Sequence, residues 1–216
     1  MFFNEKRVFI TGTDTDVGKT FVSVKLLNMM REKGLNPGYF KPVATGGVFR
    51  NGNLVSEDVL TVKEQAFIAD DCNFINPILY KLAAAPRIAA ETEAEAIDML
   101  KIDNAYKALC SKYESFIVEG IGGIYVPVTE EISVIDLIKK WELPVILVSK
   151  AVLGNINQTV LSLKALQNEG INIIGVVFSY VMEELPGIAV EKSFKLIEEM
   201  TKVPILAKFP YEGGSK

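Results

Sequence analysis

The stretch Thr11-Gly-Thr-Asp-Thr-Asp-Val-Gly-Lys-Thr20 limits what this chain can fold into more than any other. It stands between an apolar run, Val8-Phe9-Ile10, and a segment with helical spacing. Such a sequence delivers a strand into a tight loop and the loop into a helix. Backbone N–H groups from Gly12 and Thr13 through Asp16, Val17 and Gly18 then converge on phosphate oxygens, with the positive end of the helix dipole behind them. In this arrangement Lys19 neutralises the β- and γ-phosphates of a nucleotide, and the Thr20 hydroxyl holds Mg²⁺. The spacing is a variant of the common phosphate loop (P-loop): its first glycine is Gly12, and Thr13 occupies the usual glycine position. A glycine-containing turn with no ligand is the plain alternative. The strand before and the helix after favour nucleotide or phosphate binding.

At 216 residues the chain has room for one α/β domain with a two-sided sheet and little for a second folded unit, so a single domain over 1–216 is expected. A formal net charge of -4 offers no electrostatic reason to expect nucleic acid, and the ligand is expected to be small. The opening Met-Phe-Phe-Asn-Glu-Lys-Arg lacks the pattern of a signal segment, and no later run approaches a membrane span, which predicts a cytoplasmic protein with no membrane partner. Cys72 and Cys110 stand far apart with no second cysteine near either, and read as ordinary thiols. The chain contains no histidine. That removes the commonest general base and every Ser-His or Cys-His mechanism, leaving carboxylates, lysines, hydroxyls and metal.

Along the chain, Val17 to Lys33 has helical spacing and stops at Gly34. A short strand, Gly38 to Lys41, brings a lysine to its carboxyl end, where open α/β sheets bind ligands; a surface lysine before a proline turn is an equal alternative. Gly46 to Val55 reads as a loop, Ser56 to about Ile68 as a helix, Asn76 to Ala90 as irregular, and Glu91 to Tyr113 as one or two helices. Asp58 lies in a first helical turn, where an acid ordinarily complements the dipole. The buried-type strand Ser115 to Glu119 ends in Glu-Gly-Ile-Gly-Gly, a strand-end carboxylate of the kind that supports Mg²⁺ beside a phosphate loop. A helix over Ile132–Trp141 and a strand over Pro144–Ser149 follow. Asn155 or Asn157 could cap the next helix. Strand Ile173–Ser179, helix Val190–Thr201 and strand Pro204–Lys208 complete an alternation that predicts a three-layer P-loop NTPase-like α/β fold, a mostly parallel central sheet with helices on both faces.

Taken together, the segments Gly12–Thr20, Gly38–Gly46, Ser56–Asp58, Val118–Gly123, Pro144–Val148 and Leu153–Asn157 resemble, in order and along nearly the whole chain, the dethiobiotin synthetase family. The resemblance implies an ATP-dependent cyclo-ligase of biotin biosynthesis. Its substrates would be 7,8-diaminononanoate, CO₂ and ATP, with products dethiobiotin, ADP and phosphate formed through a carbamate and a carbamic–phosphoric anhydride. It implies that Thr15, Lys19 and Lys41 surround the reacting groups and that Thr20, Asp58 and Glu119 hold Mg²⁺. Thr45 would lie near the substrate amines, with the Gly122-Gly123 backbone approaching the ligand. It also implies a homodimer with its site at the interface, Leu153, Gly154, Asn155, Ile156 and Asn157 reaching the partner's substrate carboxylate. Lys41→Gln is expected to remove most activity and leave the melting temperature nearly unchanged.

The chain departs from the family in two places that bear on specificity. Ser179 stands where the family commonly has an adenine-reading asparagine. Serine has shorter reach, so base selectivity is expected to be relaxed or supplied by backbone near Pro210 and Tyr211. Ala85-Pro86-Arg87 stands where the family has Ser-Pro-His, without that hydroxyl and imidazole. Among rivals, partition and septum-site ATPases carry a second lysine early in the loop where this chain has Asp14, and a signalling GTPase would need a guanine reader that Ser149-Lys-Ala-Val152 does not make. A non-catalytic or regulatory P-loop ATP-binding module is the remaining alternative.

Overall fold

A computed structural model of the chain describes residues 5–180 and 187–210. The first strand, β1 (Arg7–Gly12), leads through the phosphate loop to α1 (Lys19–Glu32), followed by β2 (Gly38–Phe40), β3 (Val43–Ala44), β4 (Val48–Arg50) and β5 (Asn53–Val55). Next come α2 (Glu57–Gln65), α3 (Cys72–Ile75), β6 (Ile78–Leu79), α4 (Pro86–Glu93), α5 (Met99–Lys112) and β7 (Phe116–Gly123). The remaining elements are α6 (Val134–Trp141), β8 (Val145–Lys150), α7 (Asn155–Asn168), β9 (Ile173–Ser179), α8 (Ile188–Thr201) and β10 (Ile205–Phe209).

Six strands form the central sheet in the order β10-β9-β8-β1-β7-β2, every neighbouring pair parallel. Because a strand's side chains alternate between faces, Val8 and Ile10 of β1 pack with α1 and α2, and Phe9 packs on the opposite face with α5 and α6. The same division holds in β7, where Ile117 joins the first layer and Phe116 and Val118 the second. Strands buried on both faces need apolar residues at every position, hence the unbroken runs. The sheet's other half is covered by α7 and α8, whose Leu163, Phe194 and Ile197 meet Leu147, Val176 and Phe178.

Four local expectations are revised. The first helix begins at Lys19, since Gly18 caps it in the left-handed region at φ 92° and residues 13–18 are used by the loop. The stretch Gly46–Val55 contains an antiparallel hairpin, β4 with β5, turning on Asn51 and Gly52 at φ 51° and 81°. Two successive positive φ values are what a tight hairpin turn demands, and Asn-Gly meets that demand. The irregular stretch from Asn76 contains β6 and the start of α4, for which Pro86 supplies the first turn without a missing hydrogen bond. Lastly, neither Asn155 nor Asn157 caps α7: Gly154 does so at φ 91°, and Asn155 is the first helical residue.

Candidate active site

The sheet's geometry places the loop after β1 between the ends of β7 and β8. Its glycines are set by close approach. A Cβ on Gly12 would lie 2.7 Å from Val17 Cγ2, and one on Gly18 would lie 2.5 Å from Ser179 Oγ. The loop therefore wraps tightly and leaves Lys19 nearly buried, with its ammonium donating to the Asp14 carbonyl oxygen at 2.9 Å. Burial, reinforced by the neighbouring Lys41 charge, lowers the Lys19 pKa to about 8, although Glu119, Asp58 and Asp16 pull the other way.

In front of the loop lies a cavity of about 700 Å³. Thr15, Asp16, Gly18, Lys19, Thr20, Lys41, Thr45, Asp58 and Gly122, all anticipated as site residues, line it. Its remaining wall, Ala83 to Ala85 with Ile121 and Val126, is apolar, and of these only Ala85 stood at a position that the family resemblance singles out. Small and apolar residues carry no chemical signature in a sequence, so only their position reveals them.

At the floor of the cavity four segments meet around one charge cluster. Lys41, 3% exposed, donates to Asp58 Oδ2 and to Glu119 Oε1, each at 2.7 Å. Thr20 Oγ1 lies 2.8 Å from Asp58 Oδ1 and 3.0 Å from Glu119 Oε1. Its single proton serves one of these carboxylates at a time. Glu119 is wholly buried, and its other oxygen, Oε2, accepts from Ser23 at 2.5 Å and from Tyr39 at 3.0 Å. Burial opposes the Lys41 charge, but Glu119 and Asp58 outweigh it and hold the ammonium above its ordinary range. Burial likewise opposes the Asp58 charge, and Lys41 and Thr20 bring its carboxyl below the usual carboxylate range. The Tyr39 phenol is raised well above its ordinary value by burial and by Glu119, so it is neutral and donates. The backbone of Lys41 is fixed as well, its carbonyl accepting from Asn76 Nδ2 at 2.8 Å and its N–H donating to Ile75 O at 2.9 Å.

This cluster suits a hard divalent cation. One hydroxyl and two carboxylates converge where a cation, the Lys41 ammonium, already bridges the carboxylates, and oxygen donors of this kind are what Mg²⁺ selects. Among the described residues no group of three or more His, Cys, Asp or Glu side chains forms a cage. An ion here would take two carboxylates and a hydroxyl, with its other ligands from water or phosphate.

Other anticipated residues lie apart from this cavity. Gly12 and Val17 are buried in the loop's support, and Thr13 and Gly123 face one another closely enough that a Cβ on Gly123 would sit 3.3 Å from Thr13 O. Ser179 is 3% exposed behind Gly18 and does not line the cavity. Pro210 follows β10 at the edge of the sheet, and Tyr211 lies outside the described residues. Leu153, Gly154 and Asn155 line a second cavity of about 320 Å³ on the other side of the loop, with Asp14, Val17 and Lys150. Asn155 is 3% exposed, and neither of its amide side-chain atoms has a partner among the described residues. Ile156 and Asn157 continue into α7. Arg87 pairs with Glu91, at 2.8 Å, and does not line the cavity, whereas Ala85 lines it without a side-chain hydroxyl. The sequence reading missed Ser23, Tyr39 and Asn76, which touch the site's charged residues from behind.

The chain is similar to known proteins along nearly its whole length. A family model described as an AAA domain matches residues 6–215. The ATP-dependent dethiobiotin synthetase of Methanocaldococcus jannaschii is 40% identical over 203 residues, covering 92% of this chain and 91% of the relative. That of Methanococcus vannielii is 39% identical over 199 residues, covering 92% and 90%. Among solved structures, a ParA family ATPase from Chlorobium tepidum superimposes with a TM-score of 0.55 at 13% identity, over 97% of this chain and 86% of that one. The MinC:MinD cell division protein complex of Aquifex aeolicus follows at 0.52 and 16%, over 96% and 82%. These two likenesses bear on the fold alone, a P-loop NTPase-like parallel sheet with helices on both faces.

Proposed function

Since the chain belongs to the ATP-dependent dethiobiotin synthetase family and is an ATP-dependent ligase of biotin biosynthesis, we propose that it closes the ureido ring of dethiobiotin from 7,8-diaminononanoate, CO₂ and ATP in the cavity before the phosphate loop. One substrate amine attacks CO₂ and loses a proton, giving a carbamate. A carbamate oxygen attacks the γ-phosphorus and ADP leaves. The second amine then attacks the carbamoyl carbon and loses a proton, the C–O bond to phosphate breaks, and phosphate departs with the ring closed.

The observation that carries this reading is the gathering of Lys19, Lys41, Thr15 and Thr45 on one cavity of about 700 Å³, within the size range of small-molecule sites. Phosphoryl transfer needs positioning and charge neutralisation more than a strong base, which suits a site with two lysines and no histidine. Lys19, leaving Asp14 O, would meet the β- and γ-phosphates. Lys41 and Thr15 would orient the carbamate and steady the transferring group. Thr45 would hold the amines, and the Gly122-Gly123 backbone would border them. Thr20, Asp58 and Glu119 would hold Mg²⁺, which supplies charge neutralisation on the phosphates when bound.

The chain would work as a homodimer of single-domain subunits. Leu153–Asn157 of one subunit would then receive the carboxylate of substrate bound to the other, a role for which the N-terminal end of α7 and the unpartnered Asn155 amide are suited. Ser179, short and packed behind Gly18, gives the base little to bind. Turnover with CTP and GTP should then fall within about tenfold of that with ATP, since one lost hydrogen bond is worth roughly 1.4 kcal/mol or less.

Incubation with 7,8-diaminononanoate, bicarbonate, Mg²⁺ and ATP, followed by mass spectrometry, should show dethiobiotin, and parallel reactions with the other triphosphates measure base preference. Tight binding of Mg²⁺-ATP without product from any triphosphate would instead identify a regulatory ATP-binding module.

A further inference from the structure

Glu119 receives four donors in an ordered way. Thr20 and Lys41, which both line the cavity, address Oε1, and Ser23 and Tyr39, which do not, address Oε2. The donors come in pairs from two segments. Thr20 and Ser23 are three apart on α1 and so share one helical face, while Tyr39 lies on β2 and Lys41 directly after it. Each segment thus contributes one donor to each oxygen.

We propose that Ser23 and Tyr39 are positioning residues, which hold Oε2 of Glu119 so that Oε1 alone is presented to the divalent cation of the reaction. The terminal torsion of a glutamate is soft, so a carboxylate without such a clamp turns easily and offers either oxygen, or both, to the cluster. Ser23 and Tyr39 are themselves completely buried, which fixes their own positions. Neither lines the cavity, so neither touches substrate or nucleotide. A supporting shell of this kind commonly changes metal affinity by 10- to 100-fold when removed. The inference rests on the reading of Glu119 as a cation-holding residue.

The test is Mn²⁺ binding to the protein–ADP complex, followed by the electron paramagnetic resonance signal of free Mn²⁺, with melting temperatures measured alongside. Tyr39→Phe and Ser23→Ala, placed on different elements, should each weaken Mn²⁺ binding about tenfold, with metal-free ADP binding unchanged. In turnover, the Mg²⁺ concentration for half-maximal rate should rise while kcat at saturating Mg²⁺ stays close to that of the parent. Because Tyr39 acts through Glu119, Tyr39→Phe should have no further effect on Mn²⁺ binding once Glu119→Gln is in place. Unchanged Mn²⁺ affinity in both single variants, with Glu119→Gln weakened, would overturn the clamp and leave the role of Glu119 standing. Unchanged affinity in Glu119→Gln would overturn both.

Discussion

Taking the charge off Lys41 leaves two carboxylates, one wholly buried, without their common counter-charge. Breaking a buried pair from one side costs about 3–5 kcal/mol, toward the lower end where the replacement still donates a hydrogen bond. Lys41→Gln should therefore lose most turnover and, because Lys41 is buried, also melt at a lower temperature, which corrects the unchanged value that the sequence leads one to expect. Mg²⁺ with ADP should recover part of the lost stability, because a divalent ion supplies the missing charge; calorimetry with and without Mg²⁺-ADP checks this. Lys19 titrates in an accessible range. Its folded pKa, about 8, lies below the unfolded value of 10.5, so between these limits the unfolded chain binds more protons and stability rises with pH. Below pH 8 the full cost of burying the charge is present. Ligand binding should run the opposite way, ATP affinity falling above pH 8 by at most about tenfold per unit as the ammonium is lost. Melting curves and ATP titrations from pH 7 to about 10.5, against Lys19→Met, resolve both slopes.

At the scale of the element, the N-terminal end of α7 depends on a backbone that only glycine adopts easily. Gly154 sits at φ 91°, and a Cβ there would meet nothing within 4 Å, so Gly154→Ala carries a conformational cost of about 1–2 kcal/mol and no steric one. Because Leu153–Asn157 is proposed to receive substrate carboxylate, this variant should raise KM for diaminononanoate with kcat little changed, as steady-state kinetics would show. Elements of this sort differ in how readily a sequence reveals them. The strands β1, β7, β8 and β9 were legible because burial on both faces leaves continuous apolar runs, and α1 was legible from its spacing after a phosphate loop. The hairpin of β4 and β5 carried its Asn51-Gly52 signal in plain view, inside a stretch too polar to read as strand. Lys19, Thr20 and Glu119 were expected at the site from the phosphate loop and the strand-end carboxylate, Lys41 was left open between crevice and surface, and Asp58 was expected there only through the family resemblance; the structure brings the five together. Ser23 and Tyr39 were not expected: one reads as a helix serine and the other as a core aromatic, and their shared partner, Glu119, is remote in sequence.

For the whole molecule, the proposed homodimer would cover exposed apolar side chains beside and within α7. Leu153, just before α7, is 81% exposed, and Leu161, within it, 62%. Sedimentation should give a mass twice the 23.8 kDa of one chain, and Leu153→Glu with Leu161→Glu should yield monomers with little turnover even at saturating ATP. No helix among the described residues is long and apolar enough to cross a membrane. The position of β1 has a consequence for how the chain is made. Phe9 pairs with Val118 on one side and with Val145 on the other, so the strand carrying the phosphate loop is synthesised early and waits for neighbours encoded far downstream. Long-range pairing of this kind is slow to form. On a ribosome, the loop becomes rigid only after both flanking strands have emerged, and ATP can act as a ligand only for a chain whose sheet is already closed around β1.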